Sequence, residues 1–152
     1  MGLLFELSGL LVLPFWVLML FLPGWRRTER LMRSPWAAAG PAVLYALLVL
    51  PHFVEHAPVL MRPELDRIAA LLGSRAGATI SWAHFLSFDL FVGRWIYLDA
   101  RRRSVSAWLM APVLFLTLLF GPIGFLLHLC IRRLYRRAAP AESGPGAHVL
   151  NS

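Results

Sequence analysis

The chain has 152 residues, of which 59% are hydrophobic and 15% are charged. A soluble domain carries roughly 25% charged residues, and a chain this short cannot bury so much apolar surface in one core. The composition therefore excludes a soluble globular domain and an intrinsically disordered chain, and it indicates an integral membrane protein. The single cysteine, Cys130, excludes a disulfide within the chain.

All 15 basic residues are arginines, and the formal net charge is +7. The arginines cluster at the ends of apolar runs, where they meet lipid head groups or fix topology. We therefore expect membrane lipids, and no nucleic acid, as partners of these clusters. The lysine-free sequence, rich in Ala, Arg and Pro, fits a GC-rich bacterial genome, and no Arg-rich transit peptide precedes the first run. The expected location is the bacterial inner (plasma) membrane.

Four apolar runs follow one another along the chain. Each is long enough to cross the hydrocarbon core as a helix of about 20 residues, and none alternates as a barrel strand does. The sequence therefore predicts an all-α fold, an integral membrane four-helix bundle with short Arg-rich linkers. The single domain covers 1–137 and a disordered tail covers 138–152, with spans at about 3–22, 36–60, 80–98 and 108–131.

The second linker has an amphipathic pattern of its own. Its apolar residues recur at i, i+3, i+4 and i+7, and they are Leu65, Ile68, Ala69 and Leu72. This spacing predicts a short amphipathic helix at the membrane interface.

The arginines do not orient a bundle of four spans. The first and third linkers share one side and hold seven of them, and the second linker and the tail also hold seven. The positive-inside rule therefore returns a tie. In an alternative, Gly121-Pro122 breaks the fourth run into a re-entrant hairpin, which returns the C-terminus to the side of the first linker. Four full spans are preferred, because a run of about 24 residues spans easily and a tight hairpin must bury its turn in protein.

Ionisable residues inside the third run are the first candidates for function, because a charge at bilayer depth costs several kcal/mol. On a regular helix His84, Ser87 and Arg94 form one polar stripe, whereas Asp89 lies about 140° away from His84. Asp89 and Arg94 are five residues apart and cannot pair on a regular helix. Either a π-bulge, for example near Gly93, realigns them, or each finds a partner on another helix.

Three ionisable residues also have structural interpretations. Asp99 lies near the end of the third run, with Arg102 and Arg103 at i+3 and i+4, and this spacing predicts an ion pair at the interface. For Arg94, an anchor that extends to the membrane edge and a functional role are equally supported. His128 is a lone histidine in an apolar stretch, and we expect it to be a hydrogen-bonded packing residue between helices.

The second run contains His52, Glu55 and His56, a spacing that places the two histidines on one helix face as a metal site requires. The motif directly follows a proline near the membrane edge, so we interpret these residues as interfacial polar groups at a kinked helix end. The alternative is a small metal or proton site between the second and third runs, completed by His84 or Asp89. We predict no metal and no cofactor, and the three residues of the motif are the weak candidates for metal ligands.

The stretch 82–100 resembles the core motif of the abscisic-acid-deficient-four-like family of small membrane proteins. The family pattern W-x-H-x-x-x-F-D-L-F-x-G-R-W-x-x-x-D is met by Trp82, His84, Phe88, Asp89, Leu90, Phe91, Gly93, Arg94, Trp95 and Asp99. The stretch 111–124 is similar to the last span of that family. Together the two stretches cover about a third of the chain, and the four-span layout agrees over most of the rest.

The resemblance implies a role in carotenoid or isoprenoid metabolism, since plant members are required to make neoxanthin. That reaction opens the epoxide of an epoxy-carotenoid while a proton leaves a neighbouring vinylic carbon, with no net redox change. By this resemblance, Asp89 is the candidate acid, His84 the candidate base, and Arg94 the group that stabilises the developing alkoxide. The other motif residues are expected to support the site, and they are Trp82, Phe88, Phe91, Gly93, Trp95 and Asp99.

The implied activity is acid/base isomerisation of an epoxy-carotenoid-type lipid within the membrane, as in a neoxanthin synthase. The sequence does not decide whether the chain is an enzyme. The alternative is a non-catalytic membrane protein that binds a pigment or lipid, or assists a partner enzyme. A carotenoid or isoprenoid is the candidate ligand, and a partner enzyme or a second copy of the chain (a homo-oligomer) is the candidate protein partner.

Overall fold

A computed structural model describes residues 1–135, and the regular secondary structure in that part of the chain is helical throughout. The predicted tail at 138–152 lies outside the described residues. Short 3₁₀ turns at Pro35–Ala38 and Leu50–His52 precede and follow the third helix. The helices are α1 (Gly2–Phe21), α2 (Arg26–Arg33), α3 (Ala39–Val49), α4 (Phe53–Met61), α5 (Leu65–Gly73), α6 (Arg75–Arg102) and α7 (Ala107–Leu134).

Three helical stretches, Gly2–Phe21, Pro35–Met61 and Ala107–Leu134, are long and apolar enough to cross a membrane. Large apolar side chains face outwards along the molecule, for example Val54 at 85% and Trp108 at 90% exposure, as expected for surfaces that contact lipid. α6 is also long enough, but it contains charged residues and is not among the three. The chain thus has the character of a membrane protein.

α6 is the central helix, and α1 packs beside it in the same direction. The rings of Phe5 and Trp82 stack with centroids 5.4 Å apart near the start of α1. Beyond the end of α1, the Tyr97 hydroxyl donates a hydrogen bond of 2.7 Å to the carbonyl oxygen of Pro23. Because both contacts follow the chain order of both helices, α1 and α6 are parallel, and their N-terminal ends lie at the same end of the molecule.

α3 packs on α6 in the opposite direction. The carbonyl oxygen of Arg33, at the end of α2, accepts a hydrogen bond of 3.1 Å from Arg94. Further along the chain, in α3, the ring of Tyr45 lies with its centroid 5.1 Å from that of His84. The chain therefore returns along α3 and α4 towards the end from which α1 began.

The segment α4–α5 forms a turn at that end, and the helix predicted in the second linker is α5. Ser74 caps the start of α6, since its hydroxyl accepts a hydrogen bond of 2.9 Å from the Gly77 amide. Gly77 must be small, because a Cβ there would lie 2.8 Å from the carbonyl carbon of Leu71 near the end of α5. This close approach holds α5 against the start of α6.

α7 does not continue as one regular helix, because Phe120 has non-helical dihedral angles (φ −143°, ψ 57°). Pro122 also lacks the amide hydrogen that would help to bridge this break. In a straight helix, Thr117 and Gly124 would be about 10 Å apart. Here a Cβ on Gly124 would lie 2.6 Å from the Cα atom of Thr117, so the two halves of α7 fold back on each other.

The far end of α7 confirms this hairpin. The Arg103 guanidinium, just before α7 begins, donates a hydrogen bond of 3.3 Å to the carbonyl oxygen of Tyr135, just after α7 ends. A straight helix of this length would separate its two ends by about 42 Å. Each half, 107–119 and 121–134, is about 20 Å long, which is shorter than the hydrocarbon core of about 30 Å.

The expectation of a full fourth span is therefore not confirmed. The run has the length and the apolar character to cross, but the break at Phe120 returns the chain to the end where α7 starts. The structure forms the hairpin at Gly121-Pro122, the alternative that the sequence analysis did not prefer. Within residues 1–135, three segments (α1, α3–α4 and α6) run the length of the molecule, and a bundle of four full-length helices is not formed.

Candidate functional site

A groove between α3–α4 and α6 contains His84, the predicted base. Two cavities of about 270 and 380 Å³ lie along this groove, and Tyr45 and His84 line both of them. From Gly77 in one cavity to Phe91 in the other, the groove follows α6 for about 21 Å. Its shape suits a long, thin ligand.

The groove is largely apolar, with polar groups near its middle. The exposed ring of His84 stacks on Phe88 with centroids 6.0 Å apart and lies 5.1 Å from the Tyr45 ring. Ser87 lies beside it, but its hydroxyl donates to the carbonyl oxygen of Ala83 in the same helix. The groove can therefore hold an apolar chain and present an imidazole and a phenol to one region of it.

Asp89 lies on another face of α6, as the helical wheel predicted. Its half-buried carboxyl packs against the break in α7, where a Cβ on Gly121 would lie 3.1 Å from Asp89 Cγ. Asp89 is close to the midpoint of α6, so the tip of the hairpin reaches about halfway along that helix. Asp89 contacts the hairpin tip and lines neither cavity of the groove.

Arg94 lies on the side of α6 that faces the end of α2. Its Nη2 donates to the carbonyl oxygen of Arg33, while its buried Nε has no hydrogen-bond partner among residues 1–135. α6 is a regular α-helix through Gly93, and in the described part of the chain no ion pair joins Arg94 to Asp89. Of the two arrangements that the sequence left open, the second is therefore present, with each residue contacting a different helix.

Asp99 is the centre of a cluster that holds the second half of α7 against α6. Its Oδ2 accepts from Arg103 Nε at 2.8 Å and from His128 Nε2 at 3.1 Å, and Arg132 Nε lies 3.4 Å away. The His128 side chain is fully buried, edge-on to Trp95. The expected ion pair of Asp99 with Arg103 is present. The partner of His128 was not predicted, because only the hairpin brings α7 back to this level of α6.

The structure brings two of the three polar residues of the second run together, and one of them lines the groove. The rings of His52 and His56 lie 5.6 Å apart, and His52 Nδ1 is 3.0 Å from the carbonyl oxygen of Leu48. His56 is buried in the cavity of about 270 Å³, and its Nε2 has no hydrogen-bond partner among residues 1–135. Glu55 is exposed. Within residues 1–135, no group of three or more His, Cys, Asp or Glu side chains is arranged to hold a metal ion.

The other motif residues shape the surroundings of α6. Phe88 and Phe91 line the groove, whereas Trp82 stacks on α1 and Trp95 packs on His128. Gly93 must be small, because a Cβ there would lie 3.0 Å from Cζ3 of the buried Trp16 ring. These positions hold α6 against its neighbours and leave one of its faces open to the groove.

Tyr45 is the residue of the groove that the sequence analysis did not select. It comes from α3 and lines both cavities together with His84. No sequence signal marks it, since a tyrosine in an apolar run is typical of ordinary helix packing. Only the packing of α3 on α6 shows that its phenol shares a site with the imidazole.

A family model described as ABA4-like, or ABA DEFICIENT 4-like, matches residues 3–128. The chain belongs to this family. The resemblance inferred from the third run is thereby confirmed, and the ABA DEFICIENT 4-like family is linked to neoxanthin and carotenoid metabolism. No curated protein and no solved structure matches the chain. The matched range of the family model includes the groove, the Asp89 contact and the Asp99–His128 pair.

Proposed function

We propose that this member of the ABA DEFICIENT 4-like family acts in the bacterial inner membrane on a carotenoid or related isoprenoid. The ligand lies in the groove between α3–α4 and α6, and the protein isomerises it by acid/base chemistry. The proposal is supported above all by the apolar groove, about 21 Å long, with His84 and Tyr45 at its middle.

The isomerisation of an epoxy-carotenoid needs two proton transfers and no oxidant. A base removes a proton from a vinylic carbon, the released electron pair forms a new carbon–carbon double bond, and the neighbouring epoxide C–O bond breaks. An acid supplies a proton to the oxygen, which becomes a hydroxyl. His84 is the base in this proposal, because its imidazole lies in the groove and histidine is the side chain that most often serves as a general base.

Two side chains compete for the role of the acid. Asp89 is the acid implied by the family motif, and it reaches the ligand only if a long polyene wraps around α6. Tyr45 has its ring 5.1 Å from that of His84 in the same groove, so its hydroxyl serves the same region of the ligand without wrapping. Arg94 contacts the end of α2, beyond the groove, and in this proposal it positions α2 and α6.

The second candidate function is a membrane protein that binds a pigment or assists a partner enzyme without catalysis. It is favoured by the separation of the three predicted catalytic residues. His84 faces α3, Asp89 faces α7, and Arg94 faces the end of α2. Under this proposal the groove binds the same class of ligand, but no proton is transferred.

The test is to express the chain and its variants in a host that makes epoxy-carotenoids, and to compare the pigments in the membrane and on the purified protein. His84→Ala should abolish the new product. Tyr45→Phe should abolish it if Tyr45 is the acid, and Asp89→Asn should abolish it if Asp89 is the acid. Each variant must accumulate normally for its result to be assigned to chemistry. Pigment that copurifies unchanged with the wild type supports the second function. The absence of both product and bound pigment contradicts the proposal that the groove binds a carotenoid.

A further inference from the structure

The hairpin of α7 gathers the arginines at one end of the molecule. That end, here called the basic end, comprises α2, the C-terminal turn of α6 with the turn after it, and the C-terminal turn of α7. Among residues 1–135 the opposite end has three arginines, Arg62, Arg67 and Arg75. The basic end has nine, which are Arg26, Arg27, Arg30, Arg33, Arg101, Arg102, Arg103, Arg132 and Arg133.

Acidic residues strengthen this difference. In the described chain the basic end has two carboxylates, Glu29 and Asp99. The opposite end has four, which are Glu6, Glu55, Glu64 and Asp66. The tie in the arginine count assumed that α7 crosses the membrane, and the hairpin removes that assumption. The positive-inside rule then orients the molecule with its basic end in the cytoplasm and its N-terminus outside.

α2 is suited to lie along the membrane surface at the basic end. Thr28 and Met32 are fully buried against the rest of the molecule, whereas the arginines of this helix point outwards. At its start the Arg27 guanidinium lies 5.3 Å from the ring of half-exposed Trp25. A tryptophan beside arginines at a helix of this kind is typical of the interface between lipid and water.

A cavity of about 430 Å³ lies between α2 and the end of α6, lined by Glu29, Arg33, Leu98, Arg101 and Arg102. Glu29 binds Arg33 at 2.6 Å and Arg101 at 3.6 Å, and the hydrogen bond from Arg33 holds the pKa of the Glu29 carboxyl below its usual range. One carboxylate therefore shares the lining of the cavity with three arginines. The cavity keeps excess positive charge beside the apolar side chain of Leu98.

We propose that this cavity binds the phosphate of an anionic phospholipid from the cytoplasmic leaflet. Arginine is suited to this role, because its planar guanidinium donates two parallel hydrogen bonds to phosphate oxygens. The acyl chains of the same lipid extend from the cavity past Leu98 along the apolar surface of the molecule. The proposal is independent of the carotenoid groove, which lies between α3–α4 and α6.

The orientation is tested with topology reporters on the full chain in bacterial cells. A reporter fused to the C-terminus should be active in the cytoplasm, and one fused to the N-terminus should be active outside. The reverse assignment would overturn the proposal, because the basic end would then face away from the cytoplasmic leaflet. Two reporters on the same side would overturn it too, since α7 would then cross and divide the arginines between both sides.

Lipid binding is tested by the thermal unfolding of the purified full chain in detergent with added lipid. Phosphatidylglycerol should raise the unfolding midpoint by several degrees, and phosphatidylcholine should not. The double variant Arg101→Gln/Arg102→Gln should lose most of this rise, whereas the matched control Arg62→Gln/Arg67→Gln at the opposite end should keep it. Native mass spectrometry of the same samples should show retained phosphatidylglycerol on the wild type and less on the first variant.

Three results would contradict the proposal. If both lipids raised the unfolding midpoint equally, the charge of the head group would not be recognised. If both double variants lost the rise with phosphatidylglycerol equally, the cavity would not be the binding site. An equal rise with inorganic phosphate alone would identify a free anion, and not a lipid, as the ligand. Because mass spectrometry counts bound lipid directly, a variant with a lowered midpoint of its own is still informative.

Discussion

The contact between Asp89 and the tip of the α7 hairpin predicts the effect of one added methyl group. Gly121→Ala places a Cβ against the Asp89 carboxyl, 3.1 Å from Cγ and closer still to Oδ1. The backbone itself accepts alanine, because no glycine within residues 1–135 has a positive φ. The cost is therefore steric. Because the atoms met are the end of a half-buried side chain that can rotate aside, we expect the lower end of the overpacking range, a loss of about 1 kcal/mol in the free energy of unfolding.

A double-mutant cycle assigns this cost to Asp89. In the Asp89→Ala background, the added methyl group of Gly121→Ala meets no carboxyl, so most of its cost should disappear. The coupling free energy between the two sites should then be about 1 kcal/mol. The measurement is the unfolding of the four proteins in the same detergent, followed by circular dichroism of the helices. The control is Gly9→Ala on α1, where no atom lies within 4 Å of the new Cβ and alanine should match or exceed wild-type stability. Wild-type stability of Gly121→Ala, or the same cost in both backgrounds, would refute the hairpin contact.

Three further predictions concern other contacts of α6 and the second run. Gly93→Ala should lower the unfolding midpoint more than Gly9→Ala does, because the new Cβ would overlap a buried indole ring, and equal midpoints would contradict this packing. Asp99→Asn should lower the free energy of unfolding by about 1.5–3 kcal/mol, because it weakens hydrogen bonds to a charged carboxylate, and an unchanged denaturation curve would contradict the cluster around Asp99. His52→Ala should leave the pigment profile unchanged, since this ring lines neither cavity of the groove, and stoichiometric metal in the wild type that the variant loses would overturn the interfacial interpretation.

Much of the fold follows from apolar run length and spacing in the sequence. The first run is α1, the second is the bent segment Pro35–Met61, and the amphipathic spacing of the second linker is α5. The helical wheel separated Asp89 from His84, and the i+4 spacing predicted the pair of Asp99 and Arg103. These successes share one cause, since each depends on positions within one helix.

The length of the fourth apolar run does not distinguish a hairpin from a full span. A run of about 24 apolar residues is long enough for one full crossing, and it is equally long enough for the two short halves of a hairpin. The break depends on the backbone at Phe120, whose side chain does not mark it, and on the close approach of Gly121 to Asp89 on another helix. The sequence offered two signals. Gly121-Pro122 marked a place where the run can break, and the arginine count favoured the hairpin, because four full spans leave the positive-inside rule without a preferred orientation.

Less of the candidate site than of the fold could be predicted from the sequence. The family motif selected His84, Asp89 and Arg94 together. Although they are close in sequence, they lie on different faces of α6 and contact three different neighbours. Tyr45 comes from another helix, and only packing shows that it shares a groove with His84. The partner of His128 was hidden for the same reason, since a turn that the sequence left as an alternative joins it to α6.

The hairpin also constrains the order in which the chain enters the bilayer during synthesis. Its tip has non-helical backbone at Phe120, and lipid cannot satisfy the amide and carbonyl groups that such a break exposes. α6 supplies the surface on which Gly121 is buried, although the neighbouring side chains of Phe120 and Ile123 are exposed, so α6 must be in place before this contact of α7 can form. In the orientation proposed above, α7 enters and leaves the bilayer on one side, so the arginines that follow it need not be translocated. A ribosome that pauses before α7 would therefore leave an intermediate that already contains the complete groove.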